Sequence, residues 1–258
     1  MKNTHLFFVL VFVLTALAIP YRAYALGLEA GIGYWKESPS GTISYKAVSP
    51  NDTLDLKNDL KLGDSNQVVF RAKIELPAVI PNVYLMATPM SFEGTGSKNV
   101  SFTFGNQTFA ANVPIQSKLE LDQYDLALYY PIPLLGTATL NTLSIDLGLD
   151  ARQLNFKGTI SQNTISLSSS KTSTFYIPML YLGVQIKPIS SFSIEGEGRG
   201  VSDGSSHYYD FIGRVKVMPF GPLFISGGYR SEEIKINESD IKTDVKVTGP
   251  FIEAGVKF

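Results

Sequence analysis

Apolar and polar residues alternate along most of this chain, and the pattern is clearest in its last ten residues. The apolar positions there are Ile252, Ala254, Val256 and Phe258, and the small or charged ones are Glu253, Gly255 and Lys257. A period of two is typical of a β-strand with one apolar and one polar face. A strand in this position needs a partner for its edge, and we predict that it pairs with the first strand, 26–34, to close a barrel.

The same alternation predicts about ten strands, joined in an up-and-down meander. The predicted strands are 26–34, 67–76, 83–92, 119–130, 143–152, 175–186, 192–199, 207–218, 223–230 and 249–258. Short proline-rich turns are predicted at 77–82, 131–136, 188–191 and 219–222. Long polar loops are predicted at 36–64, 93–116, 157–173 and 231–243, with one short loop at 201–206. Short turns at one end and long loops at the other are typical of outer-membrane barrels.

The first 25 residues have the three parts of a secretory signal peptide. Lys2 and His5 form a basic start, Leu6–Ile19 an apolar core, and Ala23–Ala25 a small-x-small cleavage site. The alternative, an uncleaved anchor helix, is disfavoured because such a helix needs about 20 apolar residues. We therefore predict a cleaved signal peptide over residues 1–25 and one barrel domain over 26–258.

The composition narrows the class of protein further. The chain has no cysteine, so an exported fold cannot depend on disulfide bonds. Charged residues make up 17% and the net charge is −1, which gives no reason to expect a nucleic-acid partner. Glycine, tyrosine and phenylalanine are abundant, as expected of an all-β protein with many turns.

Alternation alone does not distinguish a membrane barrel from a soluble, lipocalin-like barrel, which has the same period with a polar exterior. Several predicted strands reach ten residues, the length that a tilted transmembrane strand requires. Aromatic residues also cluster at the strand ends, where the two membrane interfaces would lie. The predicted interface aromatics are Tyr34, Trp35, Phe175, Tyr176, Tyr209 and Tyr229 at the loop end, and Tyr129, Tyr130, Phe192 and Phe224 at the turn end. These features favour a closed antiparallel transmembrane β-barrel.

The export signal, the meander and the terminal aromatic strand resemble the outer-membrane β-barrels of Gram-negative bacteria. The Pro77–Asn82 turn and the Asp125–Tyr130 strand are similar to those of an uncharacterised family of small barrels among them. The resemblance implies that Val256 and Phe258 form the signal that the barrel-assembly machinery reads. It further implies a monomer surrounded by outer-membrane lipid, with both termini in the periplasm.

If the apolar faces contact lipid, the charged faces line the lumen. The predicted lumenal charges are Glu29, Arg71, Lys73, Glu75, Asp125, Asp146, Asp150, Arg152, Glu195, Glu197, Arg199, Arg214, Lys216, Arg230, Glu253 and Lys257. Their signs are nearly balanced, and a barrel of about ten strands is only slightly wider than one filled by side chains. A network of ion pairs filling the lumen is the first hypothesis, and a narrow pore for ions or small solutes is the second.

The sequence offers little catalytic chemistry. His207 and Asp210 lie three residues apart in a predicted strand, so they face opposite sides. Glu232, Glu233 and Asp240 could bind a cation but are predicted to be solvated loop residues. We therefore predict a non-enzymatic protein without a cofactor or metal site, in a structural or surface-binding role with a possible extracellular ligand at the long loops. An outer-membrane enzyme is the third hypothesis, after the filled barrel and the narrow pore.

Overall fold

The computed structural model describes residues 26–77, 79–237 and 240–258, so the predicted signal peptide lies outside the described residues. The strands are β1 (Gly27–Tyr45), β2 (Leu54–Asp55), β3 (Ser65–Glu75), β4 (Asn82–Thr88), β5 (Ser91–Gly96), β6 (Phe102–Phe104), β7 (Gln107–Phe109), β8 (Ile115–Pro131), β9 (Leu143–Gln162), β10 (Leu167–Ile189), β11 (Phe192–Ser202), β12 (His207–Phe220), β13 (Leu223–Asn237) and β14 (Ile241–Lys257). The helical elements of the described part are two 3₁₀ turns, Pro50–Asp52 and Asn163–Ile165, and one short helix, α1 (Leu135–Ala138).

The strands form a closed, antiparallel, ten-stranded up-and-down barrel. β4 and β5 share one position in the ring, because both pair with β8 on either side of Pro89, which cannot donate a ladder hydrogen bond. β14 pairs back onto β1, from Glu29 opposite Lys257 to Tyr45 opposite Ile241. The predicted fold class and the predicted pairing of the first and last strands are therefore confirmed.

Several strands run far beyond their predicted ends. The predicted loop at 157–173 is mostly strand, because β9 reaches Gln162 and β10 starts at Leu167. The predicted loop at 36–64 is wrong for its first ten residues, since β1 continues to Tyr45, and the predicted loop at 231–243 is mostly strand, since β13 and β14 cover most of it. These segments are rich in serine, threonine and lysine, so they lack an apolar outer face, but their backbones still form a hydrogen-bonded ladder. The barrel wall is consequently tall at this end.

The turn predicted at 131–136 is longer than expected. After β8 ends at Pro131, the chain forms α1 and reaches β9 only at Leu143. Leu134 precedes the helix with a left-handed backbone, at φ 67°. This end of the barrel, which also contains both ends of the described chain, is called the turn end below.

Two connections fold back into the opposite end of the barrel, which we call the mouth. Their apolar side chains are buried against the inner face of the wall: Leu54, Leu56, Leu60 and Leu62 from one, and Phe102, Phe104 and Phe109 from the other. Wall residues such as Phe92, Leu119 and Leu154 complete this core. The segments 36–64 and 93–116, predicted as polar loops, therefore contain an apolar plug that was not predicted. We call this plug the mouth core.

The outer face of the wall carries a band of exposed aliphatic side chains. Its members include Ile32, Leu85, Leu126, Leu128, Leu149, Leu180, Leu182, Val215, Ile225 and Ile252. An apolar band of this extent on the outside of a barrel is the surface that a bilayer stabilises. Within the described residues, no helix has the length and hydropathy needed to cross a membrane.

Four of the predicted interface aromatics point inward, so the prediction is wrong for them. Trp35, Tyr129 and Phe224 are buried inside the barrel, and Phe175 packs half-buried against its apolar core. The physical reason is the strand period, because only one residue of an adjacent pair such as Tyr129–Tyr130 can face outward. Six others lie on the outer face, namely Tyr34, Tyr130, Tyr176, Phe192, Tyr209 and Tyr229. Their role as an interface girdle stays a prediction.

Candidate functional site: the barrel interior

The structure places the predicted lumenal charges on the inner face of the wall. Twelve of the sixteen are buried: Glu29, Arg71, Asp125, Asp150, Arg152, Glu195, Glu197, Arg199, Arg214, Lys216, Arg230 and Glu253. Lys73, Asp146 and Lys257 are half-buried, and Glu75 is exposed at the turn end. The alternation places each of them inward because its strand neighbours face outward.

The charges form two clusters, of which the lower cluster lies nearer the turn end. Arg71 bonds Glu29 at 2.6 Å and Glu253 at 2.6 Å. Lys216 bonds Glu29 at 2.6 Å and Glu195 at 2.7 Å, so Glu29 receives two buried cations. Lys257 adds a third contact to Glu29, at 3.2 Å.

The upper cluster surrounds Arg152, nearer the mouth. Each of its three guanidinium nitrogens contacts a different carboxylate: Asp125 at 2.5 Å, Asp210 at 2.7 Å and Glu232 at 3.3 Å. Arg230 bonds Asp210 at 2.8 Å and donates to the Thr88 hydroxyl at 2.9 Å. Planar guanidinium groups suit this arrangement because each presents several donors in fixed directions.

The clusters cross the lumen rather than only lining it. Lys73 on β3 bonds Glu197 on β11 at 2.9 Å, and these strands lie on opposite sides of the ring. Arg199 links the two clusters, since it contacts Glu197 at 3.4 Å and Asp210 at 3.8 Å. Charges out of water are costly unless they are paired, so the network depends on every partner being present.

Several interior polar residues were missed by the sequence analysis. Glu232 accepts hydrogen bonds from Tyr208 and Gln123, and Glu37 is fully buried. Both glutamates were assigned to predicted loops, at 231–243 and 36–64, although they lie in β13 and β1. The signal was available for Glu232, because Arg230, Glu232 and Ile234 continue the inward alternation of β13.

The open space in the interior is divided unevenly. A vestibule of about 560 Å³ opens at the turn end, and its lining includes Lys73, Lys216 and Asp146. Above it, the cavity between Arg71, Arg214 and Arg230 measures only about 30 Å³, room for about one water molecule. The charged side chains of both clusters lie between the vestibule and the mouth core.

His207 lies near the mouth, at the start of β12. Its Nε2 is 3.1 Å from Glu233 on the neighbouring strand, and its ring stacks on Tyr209. Asp210 points inward instead and binds Arg230, so the two residues are apart, as the strand period predicts. Across the described residues, no group of three or more histidine, aspartate or glutamate side chains is arranged to hold a metal ion.

No protein-family model matches the chain, and no curated protein matches its sequence. Among solved structures, the barrel is similar to the outer-membrane protease OmpT from Escherichia coli, with a TM-score of 0.50 at 10% identity, covering 92% of this chain and 99% of that one. The attachment invasion locus protein Ail of Yersinia pestis matches with a TM-score of 0.41 at 13% identity, covering 91% of this chain and all of that one. The NalP translocator domain from Neisseria meningitidis gives 0.45 at 10% identity, covering 97% and 95%.

The likeness to OmpT shows a common fold only. The names of the three structures describe a protease, an attachment invasion locus protein and a translocator domain, so they indicate no single function. Together with the closed antiparallel ring and the apolar outer band, it assigns the architecture. The chain is a small ten-stranded β-barrel of the bacterial outer-membrane type.

Proposed function

We propose that this protein is a monomeric, non-conducting outer-membrane barrel whose tall mouth end is displayed outside the cell for surface binding. The turn end and both termini face the periplasm in this proposal. It assigns no catalytic role, since 10% identity to a protease shows a common fold only.

The observation that carries the proposal is closure of the interior at two separate levels. The charge clusters bridge opposite walls at mid-height, and the mouth core fills the barrel above them. A conducting pore needs a continuous water-filled path, whereas about 30 Å³ of space lies among the charges. The vestibule is the feature that fits the alternative of a narrow pore, but it ends at this level.

The orientation is supported by the distribution of short and long elements. The Pro222 and Ser191 turns lie at the end that holds Leu28 and Phe258, whose backbones bond each other. Outer-membrane barrels keep short turns in the periplasm and longer elements outside. The polar strand ends of β9 and β10 would then project from the membrane into water.

Planar-bilayer recording of the refolded full-length protein tests closure. Insertion is verified first, by the shifted mobility of unboiled protein on a gel and by protection of the barrel from protease. We expect no steady conductance steps from inserted protein, and none from Lys73→Met, because Arg214 still neutralises Glu197 at 3.3 Å. Steady openings of the unmodified protein would overturn the proposal in favour of a pore, and Lys73→Glu should then shift its ion selectivity.

A further inference from the structure

The mouth end of β10 has a strand on only one side. β10 pairs with β9 from Leu167 opposite Gln162 down to Ile186 opposite Leu143. Its pairing with β11 begins only at Leu180 opposite Gly200, because the β11–β12 hairpin turns at 203–206, well below the top of β10. Over 167–179, the described residues include no ladder partner on that side. We call this segment the free edge.

Burial changes abruptly across the free edge. Leu154 and Phe156 on β9 are 1% and 8% exposed, whereas their cross-strand partners on β10, Phe175 and Ser173, are half-exposed on the same inner face. Phe175 and Ile177 touch the apolar core but remain partly open to solvent. A strand added beside β10 would cover these side chains and pair the open backbone groups at once.

The charge on the inner face of the edge indicates what such a strand should carry. Lys171 points inward, with its Nζ 5.5 Å from the centre of the Tyr45 ring, and it makes no ion pair within the described residues. Its cross-strand partner on β9 is Gly158, which offers no counter-charge. An acidic residue opposite Lys171 would therefore complement the site, between apolar residues on the same face.

The occupant is a separate polypeptide rather than this chain or a second copy. Leu28 and Phe258 bond each other at the turn end, at the opposite end of the barrel from this edge. The same edge of a second copy carries Lys171 and no acidic residue, so it could not supply the counter-charge. Neither restriction applies to a segment of another polypeptide, which can reach the mouth end and carry an acidic residue.

We propose that the free edge of β10, residues 167–179, is a docking site where an extended segment of another protein adds as a β-strand. The docking segment is about 40 Å long when it spans the free edge, at about 3.3 Å per residue. It alternates apolar and polar residues and places one acidic side chain opposite Lys171. This deepens the surface-binding role proposed above and rests on the mouth end facing outward.

The probe is a dodecapeptide that copies residues 151–162 with Gly158→Asp, capped at both ends. Hydrogen exchange on the full barrel in nanodiscs provides the first readout. Without peptide, we expect fast and slow backbone amides to alternate over 167–179, because only every second residue bonds β9. Peptide should slow the fast set. If all these amides are already slow, or if the peptide leaves them fast, the proposal is wrong.

Alternate N-methylation of the probe separates strand addition from nonspecific adsorption. Two versions, methylated on odd or on even positions, have identical composition but opposite edges blocked. We expect one version to lose binding in fluorescence anisotropy and the other to retain it. Equal binding by both would contradict strand addition, as would equal binding by a version with Gly158→Lys in place of Gly158→Asp.

Variants of the barrel complete the test. Phe175→Ala should weaken peptide binding about tenfold, since it removes an apolar contact at the centre of the interface. Thr172→Ala, on the outer face of the same edge, should leave it unchanged. Protection of 167–179 by lipopolysaccharide alone would assign the edge to a carbohydrate and overturn the proposal. If the unmodified barrel does not conduct and also does not bind the peptide, only the docking site is refuted, and the proposed closure of the lumen stands.

Discussion

At the scale of single residues, Arg152 shows how much the interior depends on each charge. It is 1% exposed and holds three carboxylates together. Arg152→Ala should lower the free energy of unfolding by about 3–5 kcal/mol, because it leaves buried carboxylates without a counter-charge. Urea unfolding in lipid vesicles measures this, with Trp35, the one tryptophan, as reporter. Lys157→Ala is the control, since its pair with Glu120 is exposed and worth below about 1 kcal/mol. Equal losses would contradict the prediction.

Asp52, above the membrane span, carries a prediction about pH. Burial raises the pKa of its carboxyl group, but hydrogen bonds from the backbone amides of Thr103, Val48 and Ser49 lower the pKa further, to below its ordinary value. The stabilisation is therefore present above about pH 4, the unfolded value, and is lost as pH falls through the folded pKa.

Asp52→Asn should consequently loosen the contact between the two mouth connections at neutral pH. We expect faster hydrogen exchange at the Thr103 amide in the variant at pH 7. The difference between the two proteins should shrink once the pH is below the folded pKa of Asp52. The measurement is exchange corrected for its intrinsic pH dependence. An unchanged Thr103 amide at pH 7 would show that the carboxylate does not hold this contact.

At the scale of elements, the β1–β14 pairing closes the barrel and includes a close backbone approach. A Cβ atom at Gly249 would lie 1.7 Å from the Lys36 carbonyl oxygen. Gly249→Ala should therefore force these strands apart and reduce the yield of the heat-modifiable folded form severalfold. Gly196→Ala is the matched control, because nothing lies within 4 Å of a Cβ there. Folding of both variants with wild-type yield would mean that the β1–β14 ladder can move aside at little cost.

The period of two predicted the ring and the inward direction of most charges, because a strand that contacts lipid must keep one face apolar. The period of two failed to predict the strand segments that have no lipid-facing apolar side. Above the membrane, Ser169 and Thr172 lie in strand although their segment has no apolar outer face. The pattern also could not predict which interior charges pair with each other, because Lys73 and Glu197 are far apart in sequence and meet only when the ring closes. The apolar plug was missed because leucines such as Leu56 and Leu60 are spaced among polar loop residues.

At the scale of the whole molecule, two seals in series make closure testable by removing one at a time. The Asn112 amide bonds the Lys98 carbonyl, so the ends of the segment 99–111 are already adjacent. Replacing this segment with a two-residue Gly–Ser turn removes β6 and β7, including Phe102, Phe104 and Phe109, from the mouth core. The charge clusters below stay intact.

We expect that deletion alone to remain silent in planar bilayers, because Lys73–Glu197 and the Arg152 contacts still bridge the lumen. Serine at the members of both clusters, with the mouth core retained, should be silent as well; the substituted residues are Arg71, Lys73, Arg152, Glu197, Asp210, Arg230, Glu232 and Glu253, which leaves the net charge unchanged. Only the combination should conduct, with small steps that grow with salt concentration, because only it removes side chains from both levels at which the lumen is closed. Gel mobility of unboiled protein confirms folding of each variant. Conductance from the deletion alone would mean that the charge clusters do not seal the barrel, and silence of the folded combination would place the seal elsewhere in the wall.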